Sequence, residues 1–225
     1  TTAMRLRDYL ENLGAKVCLL SMDNFFLPLE KRPPEATDWE SPYCVNVELL
    51  LSCIGRLLDG KLVDIPWYDF KTGTTGGYKP MQGDKDCIVI AEGIHMLNPL
   101  IFDKIRGAAT GVYVAPRTRI LTNEDRVVRP EQLRVARRLI RDYHTRGHSL
   151  RETVERAESV NAGEVNYIRP YKNNAAIHID SFHDYEVCIL AKYLGNIPNI
   201  REELTAEYME EHDLTDLIRV VESVP

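Results

Sequence analysis

Asp23 and Glu92 each close a short apolar run, "VCLLSMD" and "IVIAE", within a 225-residue chain. An acid at such a position is delivered to the edge of a buried strand. If the two strands are neighbours, about 5 Å separates their backbones, and a hard cation such as Mg²⁺ fits between the carboxylates. The plainer alternative is that each acid caps the loop or helix that follows. A second chemical signal is basic. Nine arginines fall between Arg126 and Arg156, against the four acids Glu131, Asp142, Glu152 and Glu155. Across the helix expected there, Arg134, Arg137, Arg138 and Arg141 cluster away from the apolar stripe Leu133, Ala136, Ile140 and Tyr143. So few acids nearby point to an external anion as the partner of the arginines, rather than to a solvated face of scattered ion pairs.

The totals narrow the function classes. The net charge of −6 argues against a general nucleic-acid binder, and a compact basic patch on an acidic chain suits a small anionic ligand. No apolar run approaches the roughly 18 to 20 residues that cross a bilayer. Five scattered cysteines without a C-x-x-C pair suit a reducing cytosol, with neither a disulfide frame nor a zinc site expected.

The elements that must hold these residues follow from periodicity. Residues 3–13 read as a helix stopped by Gly14, "KVCLLS" as a strand, and 27–45 as loop. Asn46 caps a helix through Leu58, which Gly60 ends, and 61–84 reads as irregular. "DCIVIAEG" is the strongest strand. Asn98-Pro99 opens a short helix, "TGVYVAP" is a strand, and a long arginine-rich helix spans about 131–146. Ser149 and Glu152 form a capping box for the next helix, and "AAIHID" is a fourth strand. Two helical patterns follow, with the acidic tail "REELTAEYMEEHDL" expected as a solvated helix. Strands separated by helices imply an α/β fold, a doubly wound parallel sheet with helices on both faces. Ligands then sit beyond the carboxyl ends of the strands, where Asp23 and Glu92 project. Two further patterns carry nothing. "GTTGG", 73–77, leads into no helix and reads as a flexible turn, and His144 and His148 lack a third metal ligand close by.

In order along the chain, "SMDNFF", "DWESPYCVN", "IPWYDF", "VIAEGI", "RRLIRDYHTRG" and "YIRPYKNNAAIHID" resemble the uridine kinase and phosphoribulokinase family of P-loop kinases. The ordered set covers about 180 residues. "RVARRLIRDYHTRGHSLRET" and "DSFHDYEVCIL" look most like bacterial uridine kinase-like nucleoside kinases. Those often carry an N-terminal region similar to part of threonyl-tRNA synthetase, of which nothing is present here.

The resemblance implies a P-loop NTPase fold with an arginine-rich helical lid at about 117–160, a kinase domain over 1–200 and a helical tail over 201–225. It implies ATP and Mg²⁺ as cofactors. Asp23 would be the catalytic base and a metal neighbour, and Glu92 the magnesium partner. Arg138, Arg141 and Arg146 would be the lid arginines that close on ATP phosphates. Thr1 and Thr2 look like the end of a Walker A motif, G-x-x-x-x-G-K-[ST]. Its glycines and lysine, with the first strand, would lie ahead of Thr1, and Thr1 or its neighbour would supply the metal-binding hydroxyl. Phe26, Trp39, Glu40, Tyr68 and Asp69 would line a nucleoside pocket, with Glu40 at the place of a family aspartate that accepts ribose hydroxyls. Core packing is the other reading of Trp39 and Tyr68.

Two departures bear on the substrate. Lys71-Thr72-Gly73 stands where uridine-cytidine kinases carry a base-contacting histidine, and His148 stands in place of their second lid arginine. The expected activity is phosphorylation of a small substrate, most simply the 5′-hydroxyl of a nucleoside, in the cytoplasm, with no nucleic acid or membrane partner and a homo-oligomer left open. A kinase of another small hydroxyl metabolite, or a catalytically weak nucleotide-binding regulator, are the alternatives.

Overall fold

The structure is a computed structural model that describes residues 2–36, 38–121, 127–217 and 219. Its α/β chain divides into two compact units, Thr1–Tyr113 with Gly163–Ile177, and Val114–Ala162 with His178–Pro225.

The first unit is built on a parallel strand pair. Helix α1 (Thr2–Asn12) ends where Gly14 takes a left-handed conformation, φ 88°, which a glycine adopts without steric cost. Strand β1 (Val17–Ser21) follows, burying Cys18 and Leu20 in alternation. Helix α2 (Val47–Leu58) starts where the Asn46 side chain accepts a hydrogen bond from the Leu49 amide at 3.0 Å, and Gly60 (φ 77°) follows its end. Its Leu50, Cys53 and Leu57 join Leu20, Met22 and Phe25 in one core. Of the expected apolar face Met4, Leu6, Leu10 and Leu13, by contrast, Leu10 is half-buried, while Met4 and Leu6 on α1 and Leu13 just beyond it stay exposed.

Residues 61–84, expected to be irregular, form an antiparallel hairpin of β2 (Leu62–Asp69) and β3 (Thr74–Gln82). Its sequence hides it. Pro66 sits inside β2, and β3 has no buried face to impose an apolar alternation. The glycines of "GTTGG" are likewise not a turn, apart from Gly73. Trp67 pairs with Gly77 across the hairpin, and a Cβ on Gly76 would fall 2.4 Å from the Trp67 ring. Bare backbone there is what lets the indole lie on the neighbouring strand.

Strand β4 (Ile88–Glu92) runs parallel to β1 in the register Val17↔Ile88 to Ser21↔Glu92. Helix α3 (Pro99–Ile105) opens as expected, with Pro99 first and the Asn98 side chain accepting from the Leu100 amide. Strand β5 (Val112–Ala115) pairs with β8 (Ile177–Asp180), so the described strands of the α/β fold associate in twos.

The second unit adds a small hairpin, β6 (Ile120–Leu121) with β7 (Val127–Val128), and then helix α4 (Pro130–Arg146). Gly147 (φ 66°) ends α4 and donates its amide to the Asp142 carbonyl. Ser149 and Glu152 exchange the expected capping bonds at the head of α5 (Leu150–Gly163). Helices α6 (Glu186–Gly195), α7 (Ile200–Glu203) and α8 (Ala206–Glu211) complete it. The acidic tail is no free solvated helix. Leu204, Leu214 and Leu217 are buried with Leu133, Leu139 and Leu150 in one core. The leucines flanking the charged run decide its packing.

Candidate active site

The register of β1 against β4 builds the acidic end of the site. Ser21 faces Glu92, and the chain leaves β1 in a 3₁₀ turn, Met22–Phe25, that carries Asp23. A Cβ on Gly93 would lie 2.4 Å from the Met22 Cβ, so a glycine is what allows the two strand ends to approach. Asp23 keeps solvent access, yet the protein around it raises its pKa, and the charge of Glu92 raises it further. Among the described residues no hydrogen bond contributes to that shift. Two adjacent carboxylates, presenting only oxygen donors and repelling one another, fit a hard divalent cation.

Of the residues expected to line a substrate pocket, Phe26, Trp39 and Tyr68 meet in one aromatic cluster. Phe26 lies 6.2 Å from Trp39 and 5.7 Å from Tyr68, ring centre to ring centre. Phe26 and Tyr68 are buried, whereas Trp39 is 44% exposed, so core packing accounts for the first two and not for Trp39. Two further members of the cluster carry no signal of their own in the sequence. Phe70 packs edge-on against Phe26 and Tyr68, and the Arg32 guanidinium lies 3.8 Å from the centre of the Trp39 ring while donating to the Tyr68 hydroxyl at 3.3 Å. Asp69 spends one carboxylate oxygen on the hairpin turn, accepting from the Lys71 amide at 2.8 Å. Glu40 packs against Gly163, where a Cβ would come within 2.4 Å of its own.

The arginines of α4 are partly accounted for inside the second unit. Arg137 is bound to the Glu186 carboxylate and to the Ser181 carbonyl, so it needs no external anion. Asp142 is buried on the side of α4 expected to be basic. It accepts from Arg141 at 2.7 Å and lies 3.4 Å from Arg146. Burial alone would raise the Asp142 pKa, but Arg141, Arg146 and Arg138 together outweigh it and the net shift is downward. The three expected phosphate-facing arginines therefore share one buried anion, and Arg141 and Arg146 remain exposed.

Comparison with known proteins decides the family. The model of the phosphoribulokinase / uridine kinase family matches residues 18–188, well over half of the chain. The chain belongs to the phosphoribulokinase / uridine kinase family. A uridine kinase of Brevibacillus brevis is 27% identical over 198 residues, covering 84% of this chain and 84% of that protein. Uridine kinase-like protein 5 of Arabidopsis thaliana is 30% identical over 179 residues, covering 77% of this chain. The chain spans only 35% of the length of that protein. A solved structure titled a possible uridine kinase from Bacillus stearothermophilus aligns with a TM-score of 0.45 at 16% identity, covering 79% of each chain.

For a member of this kinase family, the positions named from the sequence fall into two groups. Asp23, Glu92, Phe26, Trp39, Glu40, Tyr68 and Asp69 belong to the first unit, and Arg138, Arg141 and Arg146 to the second. Thr2 opens α1, while Thr1 lies outside the described residues. Sequence reasoning passed over Arg32, Phe70 and the burial of Asp142. It also passed over His95, which is fully buried three residues beyond Glu92. The five cysteines are free thiols, and burial pushes that of Cys18 up to about 11, with Cys87 beside it. Among the described residues no helix is long and apolar enough to cross a membrane.

Proposed function

We propose that the chain is the ATP- and Mg²⁺-dependent phosphotransferase part of a nucleoside kinase, acting on the 5′-hydroxyl. The observation that carries this reading is the register that sets Ser21 opposite Glu92, putting Asp23 and Glu92 together at the carboxyl end of a parallel strand pair. Phosphoryl transfer asks the protein mainly for positioning and charge neutralisation, with one group to take the proton of the attacking hydroxyl. Asp23 fills that role, since its raised pKa makes it a better proton acceptor than an ordinary aspartate. Asp23 and Glu92, with a hydroxyl of Thr1 or Thr2, would hold Mg²⁺, which when bound neutralises charge on the phosphates.

Arg138, Arg141 and Arg146 would close on the triphosphate as part of a lid, already gathered around Asp142. Phe26, Trp39 and Tyr68 would receive a planar base, and Glu40 the ribose hydroxyls, with Asp69 reaching the nucleoside through its remaining oxygen. A second reading, a kinase of another small hydroxyl metabolite, is favoured by one observation. Arg32 places a guanidinium on the aromatic cluster, while Lys71-Thr72-Gly73 replaces the base-reading histidine.

The test offers the full-length protein ATP, Mg²⁺ and a panel of nucleosides and small polyols, with phosphorylated product measured directly. Transfer to the 5′-hydroxyl of a ribonucleoside supports the proposal. Transfer only to other hydroxyl compounds replaces it with the second reading, and no transfer at all defeats both. The Asp23→Asn variant is expected to lose turnover by several orders of magnitude while its affinity for ATP changes little.

A further inference from the structure

Arg32 brings a half-buried cation into the aromatic cluster. Its guanidinium carbon lies 3.8 Å from the centre of the Trp39 ring and 5.8 Å from that of Phe26. Its Nε donates to the Leu27 carbonyl and its Nη2 to the Tyr68 hydroxyl, each at 3.3 Å. Packing on the rings accounts for the face of the guanidinium but not for its edge. A guanidinium carries five N–H donors and no acceptor, so bonds to Leu27 and Tyr68 leave most of that edge unspent. Among the described residues no carboxylate forms an ion pair with Arg32.

The backbone holds this group in place before any ligand arrives. The Arg32 amide donates to the Leu29 carbonyl and closes the 3₁₀ turn Leu29–Lys31, and Pro33 and Pro34 restrict the chain that follows. The Leu29 amide in turn donates to the Gly73 carbonyl at 3.3 Å, and a Cβ on Gly73 would fall 2.7 Å from the Leu29 side chain. The turn bearing Arg32 is thereby fixed against the hairpin turn that follows Tyr68, Asp69 and Phe70. A donor anchored in this way gives up little freedom when it binds.

A donor-only edge beside an exposed indole discriminates between planar rings by one feature. A ring carrying an exocyclic oxo group accepts from it. A ring with an amino group at the same place sets N–H against N–H and leaves donors on both sides without acceptors. We propose that Arg32 determines the base specificity of the pocket, selecting nucleosides whose base presents an exocyclic oxo group over those that present an amino group. Among pyrimidine nucleosides that is uridine over cytidine, and among purine nucleosides inosine over adenosine. The inference rests on the nucleoside reading of the site and goes beyond it by naming the edge of the base that is read.

The experiment compares kcat/KM for uridine with cytidine, and for inosine with adenosine, in the full-length protein with ATP and Mg²⁺. Wild type is expected to favour the oxo member of a pair it accepts by about tenfold or more, the equivalent of one hydrogen bond. A preference confined to pyrimidines or to purines supports the assignment and identifies the base. Arg32→Met, which packs on Trp39 without a donor, should lose about tenfold on the oxo nucleoside and little on the amino one, so that the preference collapses. Arg32→Gln offers both an N–H and a carbonyl, and should accept the amino nucleoside better than Arg32→Met does. Arg32→Lys keeps the charge without the planar fork and should retain only part of the preference. Melting curves identify the variants that fold. Equal losses on both members of a pair would assign Arg32 to packing alone, and that result, or an intact preference in a folded Arg32→Met protein, would overturn the assignment. A wild type that phosphorylates nucleosides without favouring the oxo member removes the inference and leaves the proposed function standing. A wild type that phosphorylates no nucleoside removes both.

Discussion

Asp23 loses part of its hydration and sits beside the charge of Glu92, and both effects make it hold its proton more tightly. Two consequences follow at the scale of the residue. A base must be deprotonated to work, so turnover should fall with decreasing pH through a midpoint above the value of about 3.9 for an unperturbed aspartate. A profile that stays flat down to that value would argue against Asp23 as the base. The stability effect has the opposite sense. The folded protein binds this proton more tightly than the unfolded chain does, so the charged form is destabilising, and stability declines as pH rises through the window between the two pKa values. Asp23→Asn should therefore melt no lower than wild type at neutral pH even as it loses turnover. Asp142 behaves in reverse. Burial works against its charge, but its arginine neighbours win, so its contribution is present above the unfolded pKa and is lost as pH falls through the depressed one. Asp142→Asn should be less stable than wild type near pH 7, with the gap closing in acid when the two are melted side by side.

Among the elements, the close approach of the β1 and β4 ends carries most of the site. A methyl group on Gly93 would overlap Met22, and overpacking of this kind costs about 1–3 kcal/mol. Gly93→Ala is expected to lower stability by that amount in urea titration and to reduce kcat more than it raises the KM for either substrate. Retained kcat in a folded Gly93→Ala protein would show that the spacing of the two strand ends does not matter to turnover. The α4 helix shows a division of labour of another kind. Arg137 is tied to Glu186 of α6, so Arg137→Ala should act on folding, whereas Arg138→Ala should raise the KM for ATP with less effect on melting. Exchanged phenotypes would reverse the two assignments.

At the scale of the molecule, charge is divided unevenly. A chain of net charge −6 carries nine arginines within the stretch from 126 to 156, so its long-range field and its local patch act on a triphosphate with opposite signs. Salt weakens exposed interactions over about 8–10 Å at physiological ionic strength. If Arg141 and Arg146 contact phosphate, the KM for ATP should rise as potassium chloride is raised from about 50 to about 300 mM, while the KM for an uncharged nucleoside should stay level. Equal drift of both constants would point to a general effect of salt on the fold.

The sequence by itself determined where the acids lie, because an apolar run that stops on a carboxylate names a strand end whatever packs around it. It also determined the caps at Asn46, Asn98 and Ser149, the stops at Gly14 and Gly60 and the family, all of which depend on local residue order. It did not disclose the β2–β3 hairpin, since β3 lacks a buried face and two of the glycines that suggested a turn, Gly76 and Gly77, lie against Trp67 in the strand. Nor did it disclose Arg137 with Glu186, the burial of Asp142, the packing of the tail or the burial of His95. Those belong to the tertiary structure for one reason. Burial and partnership are set by residues distant in the chain, and only the folded arrangement decides which polar group is satisfied and which is left waiting.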